Sequence, residues 1–372
     1  MDVHEMRAQG LRCKQAGYAL AQLCTEKKDA ALERMAAVLW DAREAILEAN
    51  RQDVEQARAA GRSDSFIDRL ALDEQRLNNI CAGVRQVAAL EDPCGRILEE
   101  WDRGELHFIK RSVPIGVIGS IYEARPNVSV DAAALCLKSG NVCYLRGSRE
   151  TLATNRMLCH WMREALRQCG IDENCIALVQ DGSHAAADAF MRMYDCLDLL
   201  IPRGSAKLFA HCVENASVPI IETGSGNCIL YIDRNVDADE MLPILINAKC
   251  QRVSVCNAAE SLLIHRDRLD LVPGILAALK AQGVKVHGDA VICGYDADVL
   301  LASEQDYARE YLDLEISIKC VESLEEAITH INAHHTMHSD AILSNDPQAI
   351  EAFMNGVDAA VVYANASTRF SD

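Results

Sequence analysis

The chain has 16 cysteines, spread from Cys13 to Cys320, yet no two of them are spaced as CxxC. That absence argues against a zinc ribbon and against a thioredoxin-type dithiol. Basic residues are in deficit as well: 37 Lys and Arg stand against 55 Asp and Glu, a formal net charge of −18. A surface of that sign repels phosphate backbones and anionic lipid heads, so neither a nucleic-acid nor a membrane partner is expected. Local arginines and glycine-rich backbone can still hold an anionic small molecule. No apolar run approaches the roughly 18 residues of a membrane span. Residues 1–10 include Asp2, His4, Glu5 and Arg7 and lack an apolar core, so a signal peptide is not expected. The expected location is a reducing cytoplasm, where most cysteines serve as small buried hydrophobes.

The chain does have ample material for cores: 372 residues, 50% hydrophobic and 25% charged, enough for two or three domains. It shows no internal repeat and no low-complexity linker. Residues up to about 92 read as helical. In 30–60, apolar residues recur at helical spacing until Gly61, and 72–90 repeats the pattern. The runs 97–101 and 106–112 flank Asp102-Arg103-Gly104, which predicts a hairpin. From Pro114 onward strands and helices alternate. Strands are expected at 116–122, 142–146, 175–179, 197–201, 218–221 and 228–232, with helices at 128–138, 151–169, 185–194 and 206–215 and another from Asp237 towards Lys249. A second alternating set follows. Its strands fall at 261–265, 284–287, 315–320, 341–343 and 359–363, and its helices at 269–282, 323–332 and 347–355. The expected fold class is α/β: two α/β domains with parallel-rich sheets.

Five segments carry chemistry. Cys256 precedes Asn257 and a strand, near the expected domain junction and a few residues after the cations Lys249 and Arg252, which favour a thiolate. A core thiol is the plainer reading. Asn127 follows a buried strand and Arg125-Pro126; it reads either as a helix cap or as an amide aimed at a developing oxyanion. Arg146, Gly147, Ser148 and Arg149 lie at the carboxyl end of a parallel strand, where they suit a nucleotide or stand as surface residues. Gly204 precedes Ser205 and a helix, a turn able to hold a pyrophosphate although it is no GxGxxG. Glu222 opens a Thr-Gly-Ser-Gly-Asn segment that could equally be a solvated turn. His334, His335 and His338 cluster, but no metal site is expected from their spacing.

In order, the chain resembles the gamma-glutamyl phosphate reductases, a branch of the aldehyde dehydrogenase superfamily. The resemblance rests on Tyr122-Glu-Ala-Arg-Pro-Asn127, Lys138-Ser-Gly-Asn141, Leu145-Arg-Gly147, Ile201-Pro-Arg-Gly204 and Asn247-Ala-Lys249. It continues through Cys256-Asn-Ala258, Glu310-Tyr-Leu-Asp313, His338-Ser-Asp-Ala341 and Asn365-Ala-Ser-Thr-Arg-Phe370. The first of these motifs and the Cys-Asn-Ala context are specific to this branch.

The resemblance implies an aldehyde-dehydrogenase-like fold and NADPH-dependent reduction of L-glutamyl 5-phosphate to L-glutamate 5-semialdehyde with release of phosphate, a step of proline biosynthesis. It implies Cys256 as the nucleophile that forms a thioester, with Asn127 and the Cys256 N–H stabilising the oxyanion. Arg146, Gly147, Ser148, Arg149 and Gly204 fall where the superfamily holds its dinucleotide. Arg149 stands where NAD-preferring relatives often have an acidic ribose ligand, which fits a 2′-phosphate. Glu222 falls in the same region, near the place of the base that hydrolyses the thioester in aldehyde dehydrogenases, although this reaction needs no deacylating water. Arg125, Asn365, Ser367 and Arg369 are the substrate candidates. The implied domains are 1–96 with 114–234 and 358–372 for the dinucleotide, 97–113 as an oligomerisation hairpin, and 235–357 carrying the cysteine. A homo-oligomer and a separate glutamate 5-kinase chain are expected. Relatives continue past Asp372 with a glycine-rich segment and a pairing strand. Two alternatives stay open: a hydrolytic semialdehyde dehydrogenase, which Glu222 favours, and a non-catalytic relative that kept the fold.

Overall fold

The computed structural model describes residues 3–221 and 226–371. The chain divides between Thr223 and Gly224 into two compact units. The first opens with helices Val3–Leu20, Thr25–Asp41, Arg43–Ala59, Asp64–Leu70 and Glu74–Ala89. The stretch expected as one helix over 30–60 is thus two, parted at Ala42 (φ −89°, ψ 8°). No proline or glycine marks this break. The Arg43 guanidinium donates to the Trp40 carbonyl at 3.2 Å and lies over the Trp40 ring, supplying a partner that helix-end carbonyls need. The helix Glu74–Ala89 starts where Asp73 accepts from the Arg76 N–H at 2.6 Å.

The strands β1 (Ile97–Arg103) and β2 (Leu106–Arg111) pair antiparallel around Gly104, whose φ is 63°. Glycine takes that conformation without steric cost. The hairpin forms as expected and is exposed along nearly its whole length, with Trp101 stacked on Phe108 at 5.2 Å.

Next, β3 (Val117–Tyr122), β4 (Val142–Gly147), β5 (Ile176–Leu178) and β6 (Leu199–Arg203) form a parallel sheet in the order β5-β4-β3-β6. Every residue of β3 and β4 is buried, so both read as unbroken apolar runs rather than alternating ones. The chain steps outward from β3 to β4 to β5, then returns to β6 on the far side of β3. In open parallel sheets, ligands bind beyond the carboxyl ends of the strands at such a reversal. The strand expected at 218–221 contributes one bridge, Ile220 to Leu200. Pro219 lies in that run and lacks the N–H that a ladder requires.

The second unit holds β7 (Cys228–Ile232), β8 (Ala259–His265), β9 (Lys285–Gly288), β10 (Leu300–Leu301), β11 (Glu315–Val321), β12 (Ser339–Leu343) and β13 (Val361–Ala364). They form one parallel sheet in the order β10-β9-β11-β8-β7-β12-β13. Two boundaries expected from sequence therefore move. Residues 228–232 and 361–364, expected in the dinucleotide domain, are strands of this sheet: β7 pairs with β8 and β12, and β13 pairs with β12. An apolar run announces a buried strand but not which sheet receives it. Leu262, Leu263 and Ile264 on β8 are fully buried, and each such side chain contributes about 1.5–3 kcal/mol. β8 is thereby a rigid base for the turn that precedes it.

Candidate active site

In the first unit the carboxyl ends of β3 and β4 are organised by a buried polar chain. Tyr122 and Ser129 share a hydroxyl hydrogen bond at 2.6 Å, and Ser129 donates to Asn155 Oδ1 at 2.9 Å. Asn155 Nδ2 donates to Thr151 Oγ1 at 2.9 Å, and Thr151 Oγ1 donates to the Ser148 carbonyl at 3.1 Å. Burial raises the Tyr122 phenol well above its ordinary range, so it stays protonated as a donor. This chain explains Gly147: a Cβ there would lie 2.1 Å from Asn155 Nδ2. The four residues read together from sequence then separate. Arg146 turns inward, its Nη2 donating to the carbonyls of Gly182 and Ser183 at 3.0 and 2.8 Å. Ser148 is half-buried before a short 3-10 turn, and Arg149 is exposed at its start.

At β6, Gly204 and Ser205 lead into the helix Ala206–Asn215. The Glu123 carboxylate sits at this helix end: it accepts from the Ser205 N–H at 3.0 Å and from Ser205 Oγ at 3.3 Å. A Cβ on Gly204 would lie 2.8 Å from Glu123 Oε2. Asn127 does not cap the helix Pro126–Lys138. It lies in the first turn, where its amide donates to Asp131 at 2.9 Å, and Arg125 occupies the cap position with no side-chain cap bond. Pro126 can start a helix because its missing N–H has no helical partner to lose, which moves the helix start ahead of the expected residue 128.

In the second unit Cys256 is half-buried in the turn before β8. Gly226 lies against it: a Cβ on Gly226 would fall 1.3 Å from the Cys256 carbonyl oxygen. Cys228 Sγ donates to that same oxygen at 3.3 Å. The Gly226 N–H is held by Glu310 at 2.8 Å. On the other side, Thr368 Oγ1 donates to the Asn257 carbonyl at 2.7 Å and Asn257 Nδ2 donates to the Arg369 carbonyl at 3.4 Å. Ser367 is buried and accepts from the Arg369 N–H at 3.2 Å. The structure thus brings Ser367 and Arg369 beside the residue that follows Cys256. Asn365 is committed elsewhere: at φ 51° it accepts from the Ser344 N–H at 2.9 Å and donates to the Ser344 carbonyl at 2.8 Å. Its amide is a backbone clamp. Lys249 also departs from expectation. Its ammonium lies 2.6 Å from Glu260, both fully buried, so its charge is neutralised there rather than left to favour a thiolate. Burial pushes the Glu260 carboxyl up to about 7, against the pull of Lys249.

A model of the aldehyde dehydrogenase family matches residues 6–290. A gamma-glutamyl phosphate reductase of Lactiplantibacillus plantarum is 46% identical over 98% of this chain and 88% of its own length. That of Geobacillus thermodenitrificans is 46% identical over 100% of this chain and 89% of its own. The chain belongs to the gamma-glutamyl phosphate reductases. The crystal structure of the reductase from Thermotoga maritima covers 100% of this chain and 90% of that chain, with TM-score 0.96 at 39% identity.

Several residues that hold these turns in place do not stand out in the local sequence pattern. Gly226 belongs by sequence to a stretch that reads as a solvated turn, whereas Glu260, a carboxylate inside an apolar strand, is a signal in itself. Nothing in the local sequence around Glu123 or Glu310 announces the N–H groups of Ser205 and Gly226 that they accept from. Glu222 lies outside the described residues. Of the histidines, His335 pairs with Asp340 at 2.6 Å, His334 Nδ1 meets the His330 carbonyl at 2.9 Å, and His338 Nδ1 meets Ser339 Oγ at 2.7 Å. The carboxylate that meets this cluster is Asp340.

Proposed function

We propose that the chain reduces L-glutamyl 5-phosphate to L-glutamate 5-semialdehyde, releasing phosphate, through a thioester on Cys256. The observation that carries the reading is the held cysteine: a half-buried thiol on a turn fixed by Gly226 on one side and by the Asn257–Thr368 contact on the other. The thiolate sulfur attacks the acyl carbon, a C–S bond forms, and the C–O bond to phosphate breaks with its electron pair leaving on phosphate. An acyl phosphate is already activated, so the protein's main task is to position the sulfur. A bound nicotinamide cofactor, which we take to be NADPH, supplies the hydride. As the aldehyde carbonyl forms, the C–S bond breaks and Cys256 leaves as the thiolate, ready for another turnover. No water enters this cycle, so no deacylating base is needed.

The carboxyl ends of the first unit's strands fit a dinucleotide. The helix Ala206–Asn215 already holds an oxyanion, the Glu123 carboxylate, on the Ser205 N–H and hydroxyl, and a phosphate suits the same donors. Gly204, Ser205, Ser148 and Arg149 would hold the cofactor, with Gly147 keeping the strand end low and Arg146 fixing the neighbouring loop. Arg149 supports a preference for a 2′-phosphate. Ser367 and Arg369 are the substrate-side candidates. The exposed Leu98, Trp101, Leu106 and Ile109 of the hairpin support pairing between copies of the chain. A kinase on a separate chain would supply the acyl phosphate. Among the described residues no helix is long and apolar enough to cross a membrane, and a reducing cytoplasm would keep Cys256 a thiol.

The test runs the reaction backwards, from glutamate 5-semialdehyde and NADP, with NADPH followed with and without inorganic phosphate. The expected result is strict dependence on phosphate, abolished by Cys256→Ala. NADPH formed without phosphate would mean that water resolves the thioester, and a hydrolytic dehydrogenase would replace this reading.

A further inference from the structure

Lys249 is in the last turn of the helix Ala238–Cys250, and Glu260 is in the first half of β8. Between them runs the loop that carries Cys256. Their contact at 2.6 Å, with neither side chain exposed, therefore closes this loop at its base. The second carboxylate oxygen of Glu260 reaches a different segment: it accepts from the Leu312 N–H at 3.1 Å. Leu312 has φ 54°, a left-handed conformation that costs a bulky side chain energy and persists only where surroundings impose it. Two residues earlier, Glu310 accepts from the Gly226 N–H, and Gly226 is the residue pressed on the Cys256 peptide. One buried pair thus closes the nucleophile loop and holds the strained turn whose neighbour sets the backbone beside the nucleophile.

We propose that the Lys249–Glu260 pair is a positioning device for Cys256, acting through Leu312, Glu310 and Gly226. The proposal rests on the reading of Cys256 as the nucleophile. A purely structural pair could be replaced by apolar residues of similar size, since buried ion pairs are often exchangeable in that way without loss of stability. A positioning pair could not, because the Leu312 N–H would lose its acceptor.

Two double variants separate these cases without stranding a buried charge. Lys249→Met with Glu260→Gln keeps an acceptor for Leu312, whereas Lys249→Met with Glu260→Leu removes it. The readouts are kcat and cofactor KM, and the rate of Cys256 alkylation by iodoacetamide in cofactor-free protein, followed on the Cys256 peptide by mass spectrometry. We expect the Leu variant to lose at least about tenfold in kcat and to change alkylation by a similar factor. Cofactor KM should stay within about twofold, and the Gln variant should recover to within about threefold of the parent. Equal kcat and equal alkylation in the two variants would overturn the proposal. If either double variant does not fold, Glu310→Ala and Glu310→Gln probe the same relay at a half-buried residue. Altered alkylation in Ala and recovery in Gln supports it, and identical rates overturn it. Wild-type Cys256 serves as the internal control. If it is alkylated no faster than the other cysteines, the nucleophile reading itself has failed, a result distinct from unchanged variants on a reactive thiol.

Discussion

Replacing Gly226 by alanine sets a methyl group against the backbone of Cys256, the proposed nucleophile. The added carbon would lie 1.3 Å from the Cys256 carbonyl oxygen and 2.7 Å from its Cα. Real contacts of this kind stay beyond 3.0 Å, so the two segments must part by about 1.7 Å, the difference between 3.0 and 1.3 Å. The obstacle is backbone rather than the end of a flexible side chain, so nothing can swing aside. A misplacement of about 1 Å at a reacting group costs on the order of 100-fold, and the expected loss in kcat for Gly226→Ala is therefore at least about 100-fold. The sign is informative as well. Gly226 does not have the left-handed φ that penalises alanine. If there were room, the substitution would stabilise the fold by about 0.4–1 kcal/mol through the unfolded chain. The assay is phosphate-dependent NADPH formation, with thermal unfolding measured on the same samples. Parental kcat together with a raised melting temperature would refute the close approach of Gly226 to Cys256.

Further predictions concern other parts of the molecule. Arg149→Glu should shift the NADPH/NADH preference towards NADH by at least about tenfold, measured as the ratio of kcat/KM values; an unchanged ratio removes Arg149 from the cofactor site. Burial, with Lys319 and His334 adding to it, pushes the His330 imidazole down to about 3, so the folded state holds it neutral. Its stabilising effect is complete above the unfolded value of about 6.5 and is lost as pH falls towards 3. Denaturant unfolding between pH 4 and 8 should show a shallower acid slope in His330→Phe than in the parent, and parallel slopes would count against a neutral buried imidazole. Trp101→Glu on the exposed hairpin should shift sedimentation towards the monomer with little change in melting temperature, whereas an unaltered sedimentation coefficient would dissociate the hairpin from assembly.

Much of this was legible in the residues. Periodicity marked the longer strands and helices because burial on one or both faces selects the side chains locally, and the helix Ala206–Asn215 begins and ends where its pattern does, but the short elements Ala290–Cys293, Leu300–Leu301 and Glu304–Tyr307 offer too few residues for a period to show. Cys256, Gly147 and Gly204 stood out by their context in the motifs rather than by residue type, since a buried cysteine is more often a core thiol. Local pattern alone could not say that β7 and β13 join the second sheet, since an apolar run is satisfied by any partner of the right shape. Nor could it show that Arg146 turns inward to Gly182 and Ser183, or that Asn365 spends its amide on Ser344. Tertiary structure made those assignments, because a hydrogen bond depends on where two distant segments arrive. The same holds for Cys256. Sequence determined that a cysteine precedes a buried strand. The path of the chain decided that Gly226 lies against it, that Glu310 holds the Gly226 N–H and that Lys249 meets Glu260 at the base of its loop, and buried polar groups must be paired by whichever partner the fold delivers.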